Sequence, residues 1–403
     1  MIHIVNKSDC CGCAACVQCC TKQCIQMQND HEGFCYPVVD QEKCVSCGLC
    51  DKVCPIINSS ISQAPQKVYA AINQDEPTRL NSSSGGIFTL LAKQTINAGG
   101  VVFGAKYDNN WQVIFDYAET LEELTSLQGS KYVQAQIGTS YRQAEGFLKQ
   151  GRKVMFSGTP CQISGLKHFL RKDYENLFTV DIVCHGIPSP KVWNRYLTEL
   201  NYRLKRQSPF KSSPQSSESS PISAVSFRDK TSGWKKYAFV VYGSFKEEDS
   251  KETSKSILYF SPHRKETFIR AFRSNMILRP SCYSCPFKDK RSGADISIGD
   301  FWGIGKISPE MDDDKGTSVI IVWSEKGLHS LPYDRMLYNE YTFEDAERHN
   351  AGLKNTCIPH PRREEFFAQL DSCKDVKKLI EGMLKKPWYL RIKFLNKLLK
   401  TLR

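Results

Sequence analysis

Residues 44–55 read CVSCGLCDKVCP, a C-x2-C-x2-C-x3-C-P run. Displaced by 34 residues toward the amino terminus, the same spacing falls on Cys10, Cys13, Cys16 and Cys20. Three cysteines at two-residue intervals wrap a short loop around one face of a cubane, and the remote fourth reaches the other cluster. The repeat therefore assigns one 4Fe-4S cluster to Cys10, Cys13, Cys16 and Cys54. It assigns a second to Cys44, Cys47, Cys50 and Cys20. A rival register over Cys13, Cys16, Cys19 and Cys24 has too long a last gap and breaks the repeat, so Cys11, Cys19 and Cys24 read as bystanders. Thr21 stands where the run has its proline, which binds no metal. Zinc prefers two close pairs per ion, whereas these are two triplets, each with an outlier.

The remainder of the chain sets the context. It has 403 residues, room for two or three cores. The opening MIHIVNKSDC has no apolar stretch of the kind that directs export. Its longest apolar runs, such as SVIIVW at 318–323, fall far short of the ~18 residues of a membrane span. We therefore expect a cytoplasmic protein in a reducing compartment, where eighteen cysteines serve metals or redox chemistry rather than a disulfide knot. Of the net charge of +12, residues 374–403 carry +8, from eight Lys and two Arg against Asp375 and Glu381. The other residues hold only +4, which argues against a nucleic-acid surface.

Five regions follow. Residues 1–58 are the cysteine-dense unit, and 67–206 alternate strand-like and helix-like stretches. Residues 207–221, QSPFKSSPQSSESSP, form a Ser/Pro-rich linker that cannot build a core. Residues 222–373 are mixed, and 374–403 form a basic tail. In that tail Trp388, Ile392, Leu395, Leu399 and Leu402 share one helical face opposite Lys393, Lys397 and Lys400. This pattern suits either packing on the protein's own core or peripheral association with an anionic membrane at its inner face.

A third cysteine constellation is scattered. RKVMFSGTPCQISGLKHFL, residues 152–170, reads as a short strand over 153–157, a turn, and a helix capped by Thr159 with Pro160 first. Cys161 then lies in the first turn, where amide donors and the helix dipole favour a thiolate. LFTVDIVCHGIPSPKVW supplies a second strand ending at Cys184, with a helix after Ser189. Strand, helix and strand make a βαβ unit, whose strands run parallel, so Cys161 and Cys184 fall at one carboxyl edge, where open α/β sheets hold ligands. RPSCYSCPFKDK adds Cys282 and Cys285. Spacing alone leaves buried inert thiols, half a zinc site, a redox dithiol or a third cluster open.

Four blocks, SSSGGIFTLLA, GTPCQISGLKHFL, DIVCHGIPSP and SCYSCPFKDKRSGADISIGDFWGI, resemble the coenzyme F420 hydrogenase/dehydrogenase beta-subunit family from about Val68 to beyond Trp323. Relatives of that kind often carry a two-cluster bacterial-type ferredoxin domain in front. The resemblance implies a ferredoxin-like 2x4Fe-4S domain followed by a mixed α/β domain, α+β or α/β in class, that binds a further cluster and FAD. The positions matching that cluster's ligands are Cys161, Cys184, Cys282 and Cys285. GIGKIS lacks a third glycine and a preceding strand, so no dinucleotide-binding fingerprint is present. The resemblance favours Ser84, Gly85, Gly86 and Thr89 at the FAD, although helix-capping serines explain that stretch equally well without it. Lys131 would steady a phosphate or a reduced flavin, unless it is simply a solvated lysine. Gly299 and Asp300 would lie at the ring edge. His185, beside Cys184, would tune the cluster or relay a proton, and a structural histidine is an equal reading.

Clusters move one electron at a time and flavins exchange hydride, so the set implies an oxidoreductase joining one-electron to two-electron chemistry. Its partner is then a redox protein or a small hydride donor or acceptor, deazaflavin-like or another organic substrate. The alternative is an electron-transfer adaptor wiring a partner enzyme, in a setting such as bacterial surface-polysaccharide synthesis; no residue here marks a sugar site. No Ser/His/Asp triad or carboxylate pair indicates hydrolysis.

Overall fold

The structure, a computed structural model, describes residues 1–207, 222–246 and 253–385. Most of the Ser/Pro linker and the amphipathic stretch from 388 onward lie outside the described residues. In the amino-terminal unit β1 (Ile25–Asn29) and β2 (Cys35–Val39) pair antiparallel. Then come β3 (Lys67–Asn73), β4 (Val101–Tyr107), β5 (Val113–Ala118), β6 (Val154–Gly158) and β7 (Leu177–Ile182). They are followed by β8 (Ala224–Asp229), β9 (Ala238–Lys246) and β10 (Thr253–Pro262), and by β11 (Ile296–Asp300), β12 (Ser318–Val322) and β13 (Met336–Tyr341).

Eight strands form one mixed sheet in the order β13-β3-β12-β11-β7-β6-β4-β5. Within it β11, β7, β6 and β4 are parallel neighbours. Two antiparallel steps through β12 return β3 to the same direction. Five strands thus end at one edge. Segments on both sides of the Ser/Pro tract contribute to this sheet, and β8, β9 and β10 form a separate antiparallel sheet.

The sheet is buried on both faces, which is why strands such as β12 read as unbroken apolar runs. Val319 and Ile321 join one core and Ile320 and Val322 the other. Helices Ile87–Asn97 and Leu121–Leu127 cover one face. Helices Ser140–Lys149 and Pro160–Leu170 cover the other, with the cysteine-rich unit packed outside them. Each fully buried Val or Ile contributes about 1.5–3 kcal/mol. The first part of the basic tail is a packed helix, Val376–Leu384, which buries Val376, Ile380 and Met383 at helical spacing. Among the described residues no helix is long and apolar enough to cross a membrane.

Candidate iron–sulfur site

Strands β6 and β7 lie side by side with Gly158 opposite Asp181. The chain leaves β6 through Thr159, whose amide donates to the Gln162 side chain at 2.9 Å, and the helix starts at Pro160. The cap pair and a proline preset for the first helical position turn the chain here. Cys161 is thereby buried in the first turn, 3.2 Å from Thr159 Oγ1. Cys184 follows just beyond the end of β7. A bridge between Pro188 and Leu278 draws in the distant segment, in which the turns Pro280–Ser284 and Pro286–Asp289 present Cys282 and Cys285. The Ile187 amide points at Cys282 Sγ from 3.4 Å. Cys161, Cys184, Cys282 and Cys285, from three segments, line one cavity.

The helix-dipole argument for a Cys161 thiolate does not hold in this setting. Contact with the Cys11 thiol, and then burial, push Cys161 well up instead. Burial also lifts Cys184 to about 12, Cys285 to about 11 and Cys282 well above the usual thiol range. Four such thiols keep their protons near neutrality unless a metal displaces them.

In the amino-terminal unit Cys10, Cys13, Cys16 and Cys54 line a second cavity, walled by Ile4, Met27 and Ile56. The other repeat set is more open, and Cys47 is exposed. Cys24, read as a bystander, has its sulfur 3.4 Å from that of Cys20 and close to Cys44. Cys19, also read as a bystander, stands near Cys50, Cys20 and Cys47. Among the described residues no three Cys, His, Asp or Glu side chains converge on one point as ligands of a single ion do. Each thiolate of a cubane binds its own iron, so such ligands stand wider apart around a cavity. The donor sets fit 4Fe-4S clusters.

The two cavities share a wall. Cys11 lines both, and its thiol contacts those of Cys13 and Cys161. Arg279, fully buried, also lines the core cavity and reaches back into the amino-terminal unit. It donates to the Cys10 carbonyl at 2.8 Å, the Cys35 carbonyl at 2.9 Å and Gln134 Oε1 at 3.1 Å. Its guanidinium sits 4.2 Å from the Tyr36 ring centroid. No carboxylate is among these partners. Burial works against its charge, but Cys10, Tyr36, Cys11 and Cys282 more than offset that. Gly12 has φ +74°, and a Cβ there would meet Gln134 and Arg279 at 2.5 and 3.0 Å. Gly165, on the Cys161 helix, makes room for Cys13, whose Cβ would lie 2.7 Å from an added one. Tyr141 N donates to Gln18 Oε1 at 3.0 Å, and Arg363 forms a forked pair with Glu32.

The flavin motifs converge elsewhere on the same sheet edge. Ser130 donates to Ser83 Oγ at 2.9 Å, and Gln128 donates to Thr89 at 3.2 Å. Buried Arg228 holds Asp300 through bonds of 2.8 and 2.9 Å and also donates to the Ser83 carbonyl. Trp234 Nε1 donates to Asp300 at 2.8 Å. Ser84 Oγ donates to the Thr317 carbonyl and Lys230 to the Ser84 carbonyl. Half-buried Lys131, pushed down to about 7 by burial, donates to the carbonyls of Gln128 and Gly129. A Cβ on Gly85 would meet the Ala71 carbonyl at 2.5 Å, one on Gly86 the Asn73 Cβ at 3.0 Å, and one on Gly299 Val183 at 2.7 Å. These glycines serve the chain's own packing, and the hydroxyls and cations are already taken. As arranged, this loop does not fit a pyrophosphate.

Asp300 is not on the core cavity, whereas His185 is. The His185 ring bonds Asn275 Oδ1 through Nε2 at 2.7 Å, and burial lowers its proton affinity, so it stays neutral. Sequence reasoning missed Arg228, Arg279 and Asp181. Asp181 lines the core cavity at 2% exposure, and its Oδ1 has no partner. The available signal was a carboxylate inside an apolar strand.

Fold and site together define an α/β iron–sulfur protein with a cysteine-rich unit docked on its sheet. Residues 151–333 match the family described as the carboxyl-terminal part of the coenzyme F420 hydrogenase/dehydrogenase beta subunit. Residues 37–56 match the 4Fe-4S binding domain. The resemblance read from the sequence is borne out. A curated relative, the F subunit of F(420)H(2) dehydrogenase from Methanosarcina mazei, is 21% identical over 169 residues, 40% of this chain and 48% of that protein. The chain thus spans about half the length of the curated relative it matches. A solved structure of the F420-reducing NiFe hydrogenase complex from Methanosarcina barkeri, derivatised with xenon, is 18% identical over 80% of this chain and 90% of its own. Its TM-score of 0.43 is too low to carry an argument.

Proposed function

We propose that this protein is an iron–sulfur electron-transfer oxidoreductase in which the open cysteine set (Cys20, Cys44, Cys47, Cys50) faces a redox partner protein and the core cavity is the inner terminus. The observation that carries it is the shared wall of Cys11 and Arg279 between the first set and the core set. Bound 4Fe-4S clusters supply one-electron transfer at potentials set by charge, hydrogen bonds and exposure. The chain holds its two units in register through Gly12, Gly165 and Arg279, and keeps water from the wall by burying it. Arg279 puts a permanent cation beside thiolates of both sets, which favours added negative charge there.

The resemblance adds FAD and hydride exchange with a deazaflavin-like carrier or an organic substrate. The adaptor reading, in which the protein wires a partner enzyme, is supported by the filled loop at Ser83–Gly86. Cofactor content of protein purified without air tests both. We expect about twelve iron atoms per chain, three cubanes of four. Cys282→Ser should lose only the core cluster. Iron near eight, with EPR signals of the amino-terminal pair alone, overturns the core cluster; iron near twelve with no flavin taken up on reconstitution makes the protein an adaptor.

A further inference from the structure

The eight-stranded sheet has two outer strands, and they are finished differently. Beyond β5 lies the segment 134–137, held on by the Phe115 and Gln136 amides, which donate to the Gln136 and Val113 carbonyls at 2.9 Å. In the three-stranded sheet the outer strands β8 and β10 each carry a register irregularity against β9. Bulges of this kind turn an edge away from further pairing. Strand β13 has neither device. Its register with β3 runs unbroken from Met336 to Tyr341. It contains no lysine or proline, and its one charge, Glu340, is paired with Lys67 at 2.7 Å. Leu337 and Tyr338 on this strand are 51% and 38% exposed.

The phase of the ladder shows which backbone groups face outward. The Gln74 amide donates to the Arg335 carbonyl at 3.2 Å, just before the strand begins. Hydrogen-bonded and non-bonded pairs alternate along an antiparallel ladder. Residues 337, 339 and 341 therefore turn N–H and C=O toward β3, and 336, 338 and 340 point theirs away from the sheet. Among the described residues nothing bonds these outward groups.

We propose that β13 is a dimer edge: a second copy of this chain adds its own β13 antiparallel, about a two-fold axis through Tyr338. The outward residues select both the occupant and the register. Met336, Tyr338 and Glu340 are symmetric about Tyr338, so the axis sets Met336 against Glu340 of the second copy and Tyr338 against itself. That register forms about six main-chain hydrogen bonds and leaves no outward group unpaired. A slip of two residues orphans some of them, and a slip of one would bring opposite faces of the two sheets together. Tyr338 already packs edge-on against Tyr69 at 5.5 Å and beside Tyr333 at 5.0 Å. Its copy extends that aromatic group across the axis, as cross-strand aromatic pairs do. Leu337 meets Asn339 of the second copy, and Glu340 keeps its own Lys67, so no like charges face each other. The axis lies four strands from β7, about 19 Å, and reverses strand direction. The two core cysteine sets therefore fall at opposite rims of one continuous sheet, and the pairing does not depend on their iron.

Sedimentation velocity of the full chain, reconstituted with iron and sulfide without air, should show a mass twice that of the 45.8 kDa chain, falling on dilution. Hydrogen exchange read by mass spectrometry should find the amides of 336, 338 and 340 slow in the dimer and released as it dissociates. Two substitutions isolate the edge. Tyr338→Pro removes an outward N–H at a place where an edge strand tolerates proline. Tyr338→Lys sets two like charges opposite each other at the axis. Each should weaken association by about tenfold or more, with iron content unchanged. The lysine variant decides the matter if the proline variant does not fold. A chain ending at Lys386 should dimerise like the full chain. A monomer at every concentration, or a dimer that Tyr338→Lys does not weaken, overturns the inference. So does a dimer lost with residues beyond Lys386, or a set of β13 amides that stays slow on dilution because the chain's own segments cover the edge.

Discussion

Arg279 shows how much one side chain can depend on cofactors. It is wholly buried, bonded to two carbonyls and an amide, and packed on Tyr36. Burying a cation without a carboxylate costs several kcal/mol, so the compensating charge must come from the thiolates on either side. Replacing it with the neutral Arg279→Gln should lower the midpoint potentials of the two clusters it faces and leave the open set unchanged. Arg279→Lys should restore part of the difference. Potentiometric EPR distinguishes the three, and equal shifts in all of them would mean a general loosening rather than a local field. The residue stood in plain view in RPSCYSC, but its meaning depends on Cys10 and Cys35, more than 240 positions away. Asp181 was illegible for a related reason: one sequence cannot show that a carboxylate lacks a partner. The candidate ligand cysteines were the most readable residues, because cubane geometry imposes spacing. Cys11, read as a bystander, proves to line both cavities, a position that spacing alone does not register.

At the scale of elements, local signals read well and convergence read poorly. Thr159, Pro160 and the apolar run before them located the turn from β6 into the Cys161 helix within a residue. The partner strand stops at Ile182, two residues before the cysteine expected to end it, because the chain turns there toward the core cavity. The motifs expected to hold a flavin do meet, but around Arg228, which arrives on β8 from a region with no clear sequence signal. The Cys161 helix gives a direct test. A glycine inside a helix ordinarily costs about 0.5–1 kcal/mol relative to alanine. At Gly165 the sign should reverse, because an added Cβ would lie 2.7 Å from Cys13 Cβ. We expect Gly165→Ala to destabilise by about 1–3 kcal/mol and to lower iron retention in the first set. Chemical denaturation with iron analysis checks it; a more stable variant with full iron would show that the docking surface is soft.

Across the whole molecule, the amino-terminal unit is held by core cations that bind its backbone carbonyls and Glu32: Arg142, Lys191, Arg279 and Arg363. The opposite end of the chain raises a separate question. Residues 376–384 pack, yet most of the +8 of the tail region lies outside that helix or on its exposed side. We expect the full chain to sediment with anionic liposomes at low salt, and a chain ending at Lys386 to do so less, since each cation near such a surface contributes about 1 kcal/mol. Equal sedimentation would assign the tail to packing.

The contact between Cys11 and Cys161 has a consequence for handling the protein in air. With a core cluster bound as proposed, Cys161 would be occupied and Cys11 would be an inert spacer. Once iron is lost, two thiols in contact become a site for oxidation, and a bond between them would staple the cysteine-rich unit to the sheet across a loop of some 150 residues. That bond would remove a core ligand and lock the empty cavity against reloading. Aerated, iron-free protein should therefore yield a Cys11–Cys161 cross-linked peptide by mass spectrometry and take up core iron only after reduction, whereas Cys11→Ser should reload without a reductant. Reloading of the oxidised wild type without reductant would rule the staple out. The wall between the two sites would then be, after oxygen exposure, a latch.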